Sequence, residues 1–553
     1  MKPVPLHWVT LGAAAVFLLW VNRHQWFGVD EWAWAVDRGF LGSSARGLLD
    51  PHNEHWSTVP ILAWRGLFTV FGVRTYTPYV LLVVTAHLVT AHLLWRLMLR
   101  VGVDALVATL AAIPFMVLGA GWENLIQAFQ FSVITPLALG LAALLVAPDR
   151  GPLRSRDVGV IAILVFALMW SGVAVTMVII VGLFALLTRG LAVAVATVAP
   201  PAAVYLVWYA GWGHGPGGRA ADPLPVAIQK LPEFVWEGLT STVDDVTGLV
   251  GIAAAVLVLL GLFVVLRARP DDPGWARVIA TAVGAVVFLA LTGLRRTSFG
   301  IETAGAARYV YVVAALLLPL AALAFDRILR GRALRAAVLV AVTALIVGVQ
   351  AFELKDQANR WAGIEQEQKH RILAAAELAR EDEDLILSLT PAPVYAPDLT
   401  LVELRRLDEE DQLPGNVHVT EADRLTALTY LQVDLDRDAI FRNKEPVPVA
   451  ESVRDASVVP GPNPGCVDIT PRSPRVRLLL RLEAPASIRI APGYSGAITM
   501  RLHDDQATGR SRRLTVGGGI PGWLNVNLTD LSLELTLEAT GLTTLCRIEV
   551  ERI

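Results

Sequence analysis

Long apolar stretches dominate the first 352 residues. Crossing a bilayer core takes about 20 mostly apolar residues per helix. The first such stretch, Leu6 to Val21, follows Lys2, lacks a small-residue cleavage site and runs into Asn22-Arg23-His24, so it reads as a retained signal anchor. Further spans are predicted at 77–98, 103–121, 128–147, 158–171, 173–188, 190–210, 247–266, 277–294, 309–326 and 334–352, eleven in all. Only Ser171-Gly172 separates the spans at 158–171 and 173–188, which form either a tight hairpin or one broken helix.

The pattern then changes. Residues 353–394 are polar and helix-prone, as in Glu365 to Ala376, and read as a helical linker. From 395 to 553 short alternating runs separated by Pro, Gly and Asn take over, among them Val476 to Leu482, Ile498 to Leu502 and Leu531 to Leu537. Period-two runs between turn residues predict an antiparallel β-sandwich. The predicted architecture is a polytopic α-helical membrane domain, residues 1–352, followed by the linker and an exported, mainly-β sandwich domain.

Charge sets the orientation. Arg96, Arg100, Arg150, Arg154, Arg156, Arg189, Arg267, Arg269, Arg277, Arg327, Arg330, Arg332 and Arg335 fall in alternate short loops. By the positive-inside bias those loops and the amino terminus are cytoplasmic, and an odd span count puts everything after Phe352 outside. Cys466 and Cys546, the only cysteines, both lie in the tail, and a disulfide tying the ends of its sheet fits an oxidising compartment.

Composition agrees. Hydrophobic residues make up 54% and charged residues 18%, against about 25% charged in a soluble protein. That excludes a disordered chain and an ordinary cytosolic enzyme. A net charge of −3 gives no reason to expect a nucleic-acid partner. Arginine outnumbers lysine 42 to 5, a usage typical of GC-rich bacterial genomes, so the expected location is a bacterial plasma membrane.

Candidate chemistry collects in the first outer loop, residues 22–76. It reads Trp26-Phe27-Gly28-Val29-Asp30-Glu31-Trp32, then His52-Asn53-Glu54-His55-Trp56, then an amphipathic stretch from Val59 to Phe71. Such a stretch lies in the membrane interface, and its tryptophans anchor there. His52 and His55, three apart, would share a helix face. With Glu54 they either hold a metal or grip phosphate, or they merely cap the loop. Between spans three and four, Glu123, Gln127 and Gln130 stand at helical spacing; polar groups at membrane depth usually face a cavity, the alternative being helix–helix hydrogen bonding. A later segment places Arg295, Arg296, Arg308 and Tyr309 on the outside, against the inward bias, and the planar guanidinium suits phosphate. Arg308, heading span ten, is the preferred phosphate ligand. For Arg295 and Arg296 the plainer reading is lipid headgroup contact. His87 and His92, inside span two, read as interhelical hydrogen-bonders, and Asp244-Asp245 as a helix cap. Trp523 and Tyr494 are either core residues or a glycan-binding pair.

An acidic pair just outside the first span, an outer loop with interface helices, about eleven spans and an exported carboxy-terminal domain resemble the GT-C glycosyltransferases. That superfamily includes protein O-mannosyltransferases, aminoarabinose transferases and actinobacterial arabinofuranosyltransferases. The resemblance covers the layout of the whole membrane part, and its sequence motif is Asp30-Glu31. It implies transfer of a sugar from a polyprenyl-phosphate donor to an envelope glycan or protein acceptor outside the membrane, with inversion. Asp30 is then the expected general base, while Glu31 orients the acceptor or holds a metal. A divalent ion (Mg, Mn or Ca) on Glu31, His52 and His55, or arginines, would stabilise the departing phosphate. The competing readings are a lipid-linked sugar transporter or flippase, which predicts internal repeats, and a non-catalytic envelope scaffold whose sandwich binds polysaccharide.

Overall fold

The structure, a computed structural model, describes residues 3–40, 46–213, 221–331, 334–381, 388–436, 439, 447–461, 463, 465–490, 494, 496–516, 522–538 and 542–550. The first part is helical: α1 (Pro3–Val21), α2 (Val29–Asp37), α3 (Thr58–Phe71), α4 (Thr77–Arg100), α5 (Ala105–Met116), α6 (Trp122–Ile126), α7 (Phe131–Val146), α8 (Ser155–Leu168), α9 (Val173–Arg189), α10 (Leu191–Trp212), α11 (Leu224–Thr247), α12 (Ala253–Arg267), α13 (Pro273–Arg296), α14 (Ala307–Leu329) and α15 (Arg335–Glu381). A helix stands at each of the eleven predicted spans. Among the described residues, however, only seven helices are long and apolar enough to cross a membrane, or eight if the bent pair of α5 and the 119–126 segment counts as one. The expected count of eleven is thus met by helices, but by length and apolarity only seven or eight of them qualify as spans. With 14, 17 and 15 residues, α8, α9 and α12 are shorter, about 21–26 Å against a hydrocarbon core of about 30 Å. The break at Ser171-Gly172 resolves as a hairpin: Arg189, ending α9, holds Asp157, at the start of α8, at 2.5 and 3.0 Å.

That ion pair belongs to one end of the bundle. There Asp149 holds Arg100 and Arg277, each at 2.7 Å, and buried Asp326 holds Arg330 and Arg335 at 2.7 and 2.5 Å. The opposite end carries α2, α3, α6, the tip of the α8–α9 hairpin and the start of α14. Between the ends, His87 bonds the Tyr311 hydroxyl at 2.9 Å and the Met116 carbonyl at 3.1 Å, tying α4 to α14 and α5. His92 bonds His7 of α1 at 3.1 Å. These are the interhelical bonds expected of both histidines. Asp244 caps α12 through the Gly251 and Ala253 amides, also as expected.

The polar half of the 47-residue α15 is continuous with its apolar half, so the residues expected to form a linker extend the last long helix as far as Glu381. Two further helices follow, α16 (Leu401–Glu409) and α17 (Glu421–Leu431), where alternating runs were expected from 395. The local sequence explains both. Leu401, Leu404 and Leu407 recur at helical spacing behind a Thr400–Glu403 capping box, and Thr420 with Asp423 repeats the device.

Strands begin at Val433. They are β1 (Val433–Asp436), β2 (Val449–Arg454), β3 (Ala456–Pro460), β4 (Cys466–Pro471), β5 (Arg475–Leu482), β6 (Ala486–Ile490), β7 (Gly496–His503), β8 (Arg512–Val516), β9 (Gly522–Val526), β10 (Leu531–Glu538), β11 (Thr543–Cys546) and β12 (Glu549–Val550). They form two six-stranded sheets, β1-β9-β6-β11-β4-β3 and β12-β2-β5-β10-β7-β8. Period-two alternation buries Leu478, Leu480, Leu535 and Met500 between them. The Cys466–Cys546 disulfide forms, but across directly paired β4 and β11 rather than between the sheet's ends. Tyr494 is core, and the Trp523 ring has Arg489 and Arg547 over it. The sandwich meets α15 through Tyr430, which has Arg371 of α15 at 3.8 Å and Arg512 of β8 at 4.9 Å.

Candidate functional site

Leaving α1, the chain is pinned at once. The Asn22 amide donates to the Leu125 carbonyl at 3.0 Å, Gln25 to the Ala358 carbonyl at 2.8 Å, and the Trp26 N–H to Glu365 of α15 at 2.6 Å. Gly28 then caps α2, whose first turn holds both acids, the end where the helix dipole favours carboxylates. Successive helical residues point about 100° apart, so the acids part company. The Asp30 side chain stays 37% exposed, whereas Glu31 is buried at 3%.

Glu31 accepts from the Gly28 N–H (2.9 Å), the Tyr76 hydroxyl (2.6 Å) and the Phe129 N–H (3.1 Å), and Tyr76 in turn accepts from the Ala128 N–H (2.9 Å). Burial pushes its carboxyl up to about 7, against those three donors. This cluster also explains why Glu123, Gln127 and Gln130 do not share one helical face. α6 stops at Ile126, Gln127 is extended, and a 3₁₀ turn covers Ala128–Gln130, because amides that would continue a helix are diverted to Tyr76 and Glu31.

Asp30 turns the other way. Its Oδ1 lies 3.3 Å from His52 Nε2. The His52-Asn53-Glu54-His55 run is a tight turn, not a helix: His52 and His55 exchange both backbone hydrogen bonds (3.0 and 2.9 Å), and Asn53 takes a left-handed φ of 53°. Directly opposed residues of such a bridge present side chains to one face, so the two histidines are neighbours for a reason other than helical spacing. Buried Arg38 braces the approach by donating to the carbonyls of Gly47 (2.8 Å), Asp50 (3.1 Å) and Pro51 (2.9 Å). Glu54 forms an ion pair with Arg296 at the end of α13, and its Oε1 is 4.0 Å from His55 Nε2. Loss of water around the His55 ring pushes its pKa down; Glu54 pulls it up, and Arg296 adds to the lowering.

One continuous series of contacts thus joins Asp30, His52, Glu54, His55 and Arg296. The other expected residues stand apart from it. Arg308 pairs with Glu123 at 3.0 Å and lies over the ring of Tyr309, itself buried against Phe288. Arg295 is exposed at the end of α13, and Gln127 is half-buried beside the Glu31 cluster. Arg296 rather than Arg308 is therefore the arginine joined to the Asp30 group. The metal set of Glu31, His52 and His55 is not assembled: Glu31 faces the interior, and no group of three His, Cys, Asp or Glu side chains among the described residues is arranged to hold an ion. Sequence reasoning missed Arg38, Tyr76, Gly172 and Glu365. Their place in an aromatic-rich loop was the only hint of the first two.

The molecule is a helical membrane bundle with a polar site at one end and a β-sheet domain beyond it. No family model and no curated protein matches the chain. Among solved structures it is similar to ArnT from Cupriavidus metallidurans in the apo state, with a TM-score of 0.46 and 13% identity over 77% of this chain and 91% of that one. It is likewise similar to ArnT from the same organism bound to undecaprenyl phosphate, with a TM-score of 0.45 and 14% identity over 77% and 92%. At these scores the likeness assigns no residue, substrate or partner to this chain.

Proposed function

We propose that the chain is a plasma-membrane glycosyltransferase that moves a sugar from a polyprenyl-phosphate carrier to an envelope glycan or protein acceptor on the extracytoplasmic face. The observation that carries this reading is the linked series Asp30–His52, Glu54–Arg296. It sets a half-exposed carboxylate and a guanidinium at the two ends of one short turn, at the end of an apolar bundle where a lipid-borne phosphate would lie. The superfamily that the sequence layout resembles supplies the donor class.

In this reaction Asp30 takes the proton of an acceptor hydroxyl, and His52 holds the carboxylate in place. The acceptor oxygen forms a bond to the anomeric carbon as the bond from that carbon to the phosphate oxygen breaks. The electron pair leaves with polyprenyl phosphate, and the configuration inverts. A phosphate is already a stable anion, so positive charge rather than a proton donor helps it depart; Arg296 provides it, and Arg295 stands next in the chain. Asp30→Asn is expected to lower sugar transfer by about 10²–10⁴-fold, the usual worth of a general base. Expression and melting temperature should be unchanged. Equal transfer by variant and parent, measured with a radiolabelled polyprenyl-phosphate sugar in proteoliposomes, would leave the scaffold reading standing instead.

A further inference from the structure

The tip of the α8–α9 hairpin, Trp170-Ser171-Gly172, lies against the turn that carries His55. The Met169 carbonyl accepts from the Val59 N–H at 3.2 Å, fixing the hairpin to α3. Gly172 caps α9, and its N–H lies 3.4 Å from His55 Nδ1. A backbone N–H has only one role: it donates. Nδ1 must therefore present its lone pair, and in the neutral ring the proton sits on Nε2. The positive end of the α9 dipole opposes an imidazolium at the same spot.

Space is as specific as the hydrogen bond. A Cβ on Gly172 would lie 3.1 Å from Nδ1 and 3.4 Å from Cε1 of His55, so a side chain there would press the ring out of its place by a few tenths of an ångström. On its other side Nε2 is 4.0 Å from Glu54 Oε1, beyond hydrogen-bond reach, and that oxygen is engaged by Arg296. Among the described residues no acceptor lies within hydrogen-bond distance of Nε2. The His55 side chain is 38% exposed and lies within the field of the Arg296 guanidinium.

We propose that Gly172 is a positioning residue: its N–H and its missing side chain lock His55 as the Nε2–H tautomer, which makes His55 a hydrogen-bond donor to a phosphate oxygen beside Arg296. The identity of that phosphate as the lipid carrier's rests on the glycosyltransferase reading; the tautomer does not. His55 and Asp30 then have opposite duties. One donates to the leaving group, while the other takes the proton of the incoming hydroxyl.

The test uses the full chain in nanodiscs. In ¹⁵N-histidine spectra, with His55 assigned by its loss in His55→Gln, the neutral Nε2–H pattern is expected; an Nδ1–H pattern overturns the proposal whatever the enzyme does. Glutamine places an amide nitrogen near the position of Nε2, and asparagine near that of Nδ1. Affinity for undecaprenyl phosphate should therefore survive in His55→Gln and fall about tenfold in His55→Asn, the worth of one hydrogen bond to a charged group. Gly172→Ala should weaken binding by a similar factor in the parent and hardly at all in a His55→Ala background. Equal losses in both backgrounds would mean that Gly172 serves only helix packing. The expected tautomer combined with no undecaprenyl phosphate binding would overturn the phosphate assignment, and with it the carrier. Binding that survives while Asp30→Asn transfers sugar normally would sink the catalytic reading and leave this one intact.

Discussion

Two adjacent acids show how much one residue's environment decides. Asp30 and Glu31 share a helix start, yet only Asp30 reaches the surface. Glu31 is held by three donors and still has its carboxyl raised from 4.5 to about 7, with burial the largest cause. A raised carboxyl pKa means that the folded state keeps its proton where the unfolded chain has already released one, so stability falls as pH rises between those two values. Below about 4.5 there is no penalty; above about 7 it is complete, on the order of 3 kcal/mol. Glu31→Gln keeps an acceptor for Tyr76 and carries no charge. Its melting temperature relative to the parent should climb from pH 4.5 to 7 and then level off, as read by thermal unfolding in detergent. Glu31→Ala should be less stable than both at every pH, by about 3 kcal/mol or more, because buried donors lose their acceptor. A pH-independent difference between parent and Gln variant would mean that the carboxyl does not titrate in this range.

At the level of elements, the apolar runs are legible because hydrophobicity over about 20 residues is a property of composition, and a helix duly stands at each of the eleven places. What is not legible depends on distant partners. Nothing near Gln127 announces that α6 will break there; the cause is a tyrosine some fifty residues earlier and a glutamate on α2. Histidines three apart fit the helical period at 52–55, while Asn53, able to take a left-handed φ, favours the turn that forms. The Asp30 end of the site is therefore visible in sequence. Its link to Arg296 rather than Arg308 is not, since helix ends choose their neighbours by packing. Gly119 makes the same point about contact. A Cβ there would collide with the Gln350 carbonyl and approach the backbone of Leu354, because α15 crosses at this level. Gly119→Ala should cost about 2 kcal/mol or more, since neither backbone can yield cheaply. A methyl group added at Gly159 of α8 would meet nothing within 4 Å, so Gly159→Ala should be neutral or stabilising by up to about 1 kcal/mol. Thermal melts of the two variants check both signs.

Across the whole molecule, charge and redox chemistry bear on the same question: which end faces the oxidising side. The arginines that hold Asp149, Asp157 and Asp326 gather at one end of the bundle. The Asp30 group lies at the other, where α15 runs on toward the sandwich and its disulfide. If the arginine end is cytoplasmic, as the positive-inside bias requires, site and sandwich share the extracytoplasmic face, and Cys466 and Cys546 meet conditions in which a disulfide persists. In intact cells the two cysteines should resist a membrane-impermeant maleimide, then accept it after an impermeant reductant, with no lysis needed. Labelling that requires lysis would place the sandwich inside and separate the site from any exported acceptor. Replacing both cysteines by serine removes a link across 80 residues of sequence, worth up to about 4.5 kcal/mol by chain entropy. The loss should fall on the sandwich alone. Limited proteolysis should cut the β domain faster while the helical bundle keeps its melting temperature, because the two parts have distinct hydrophobic cores that meet at α17, through Leu428 and through Tyr430 and its arginines, beside the Arg510–Glu367 ion pair.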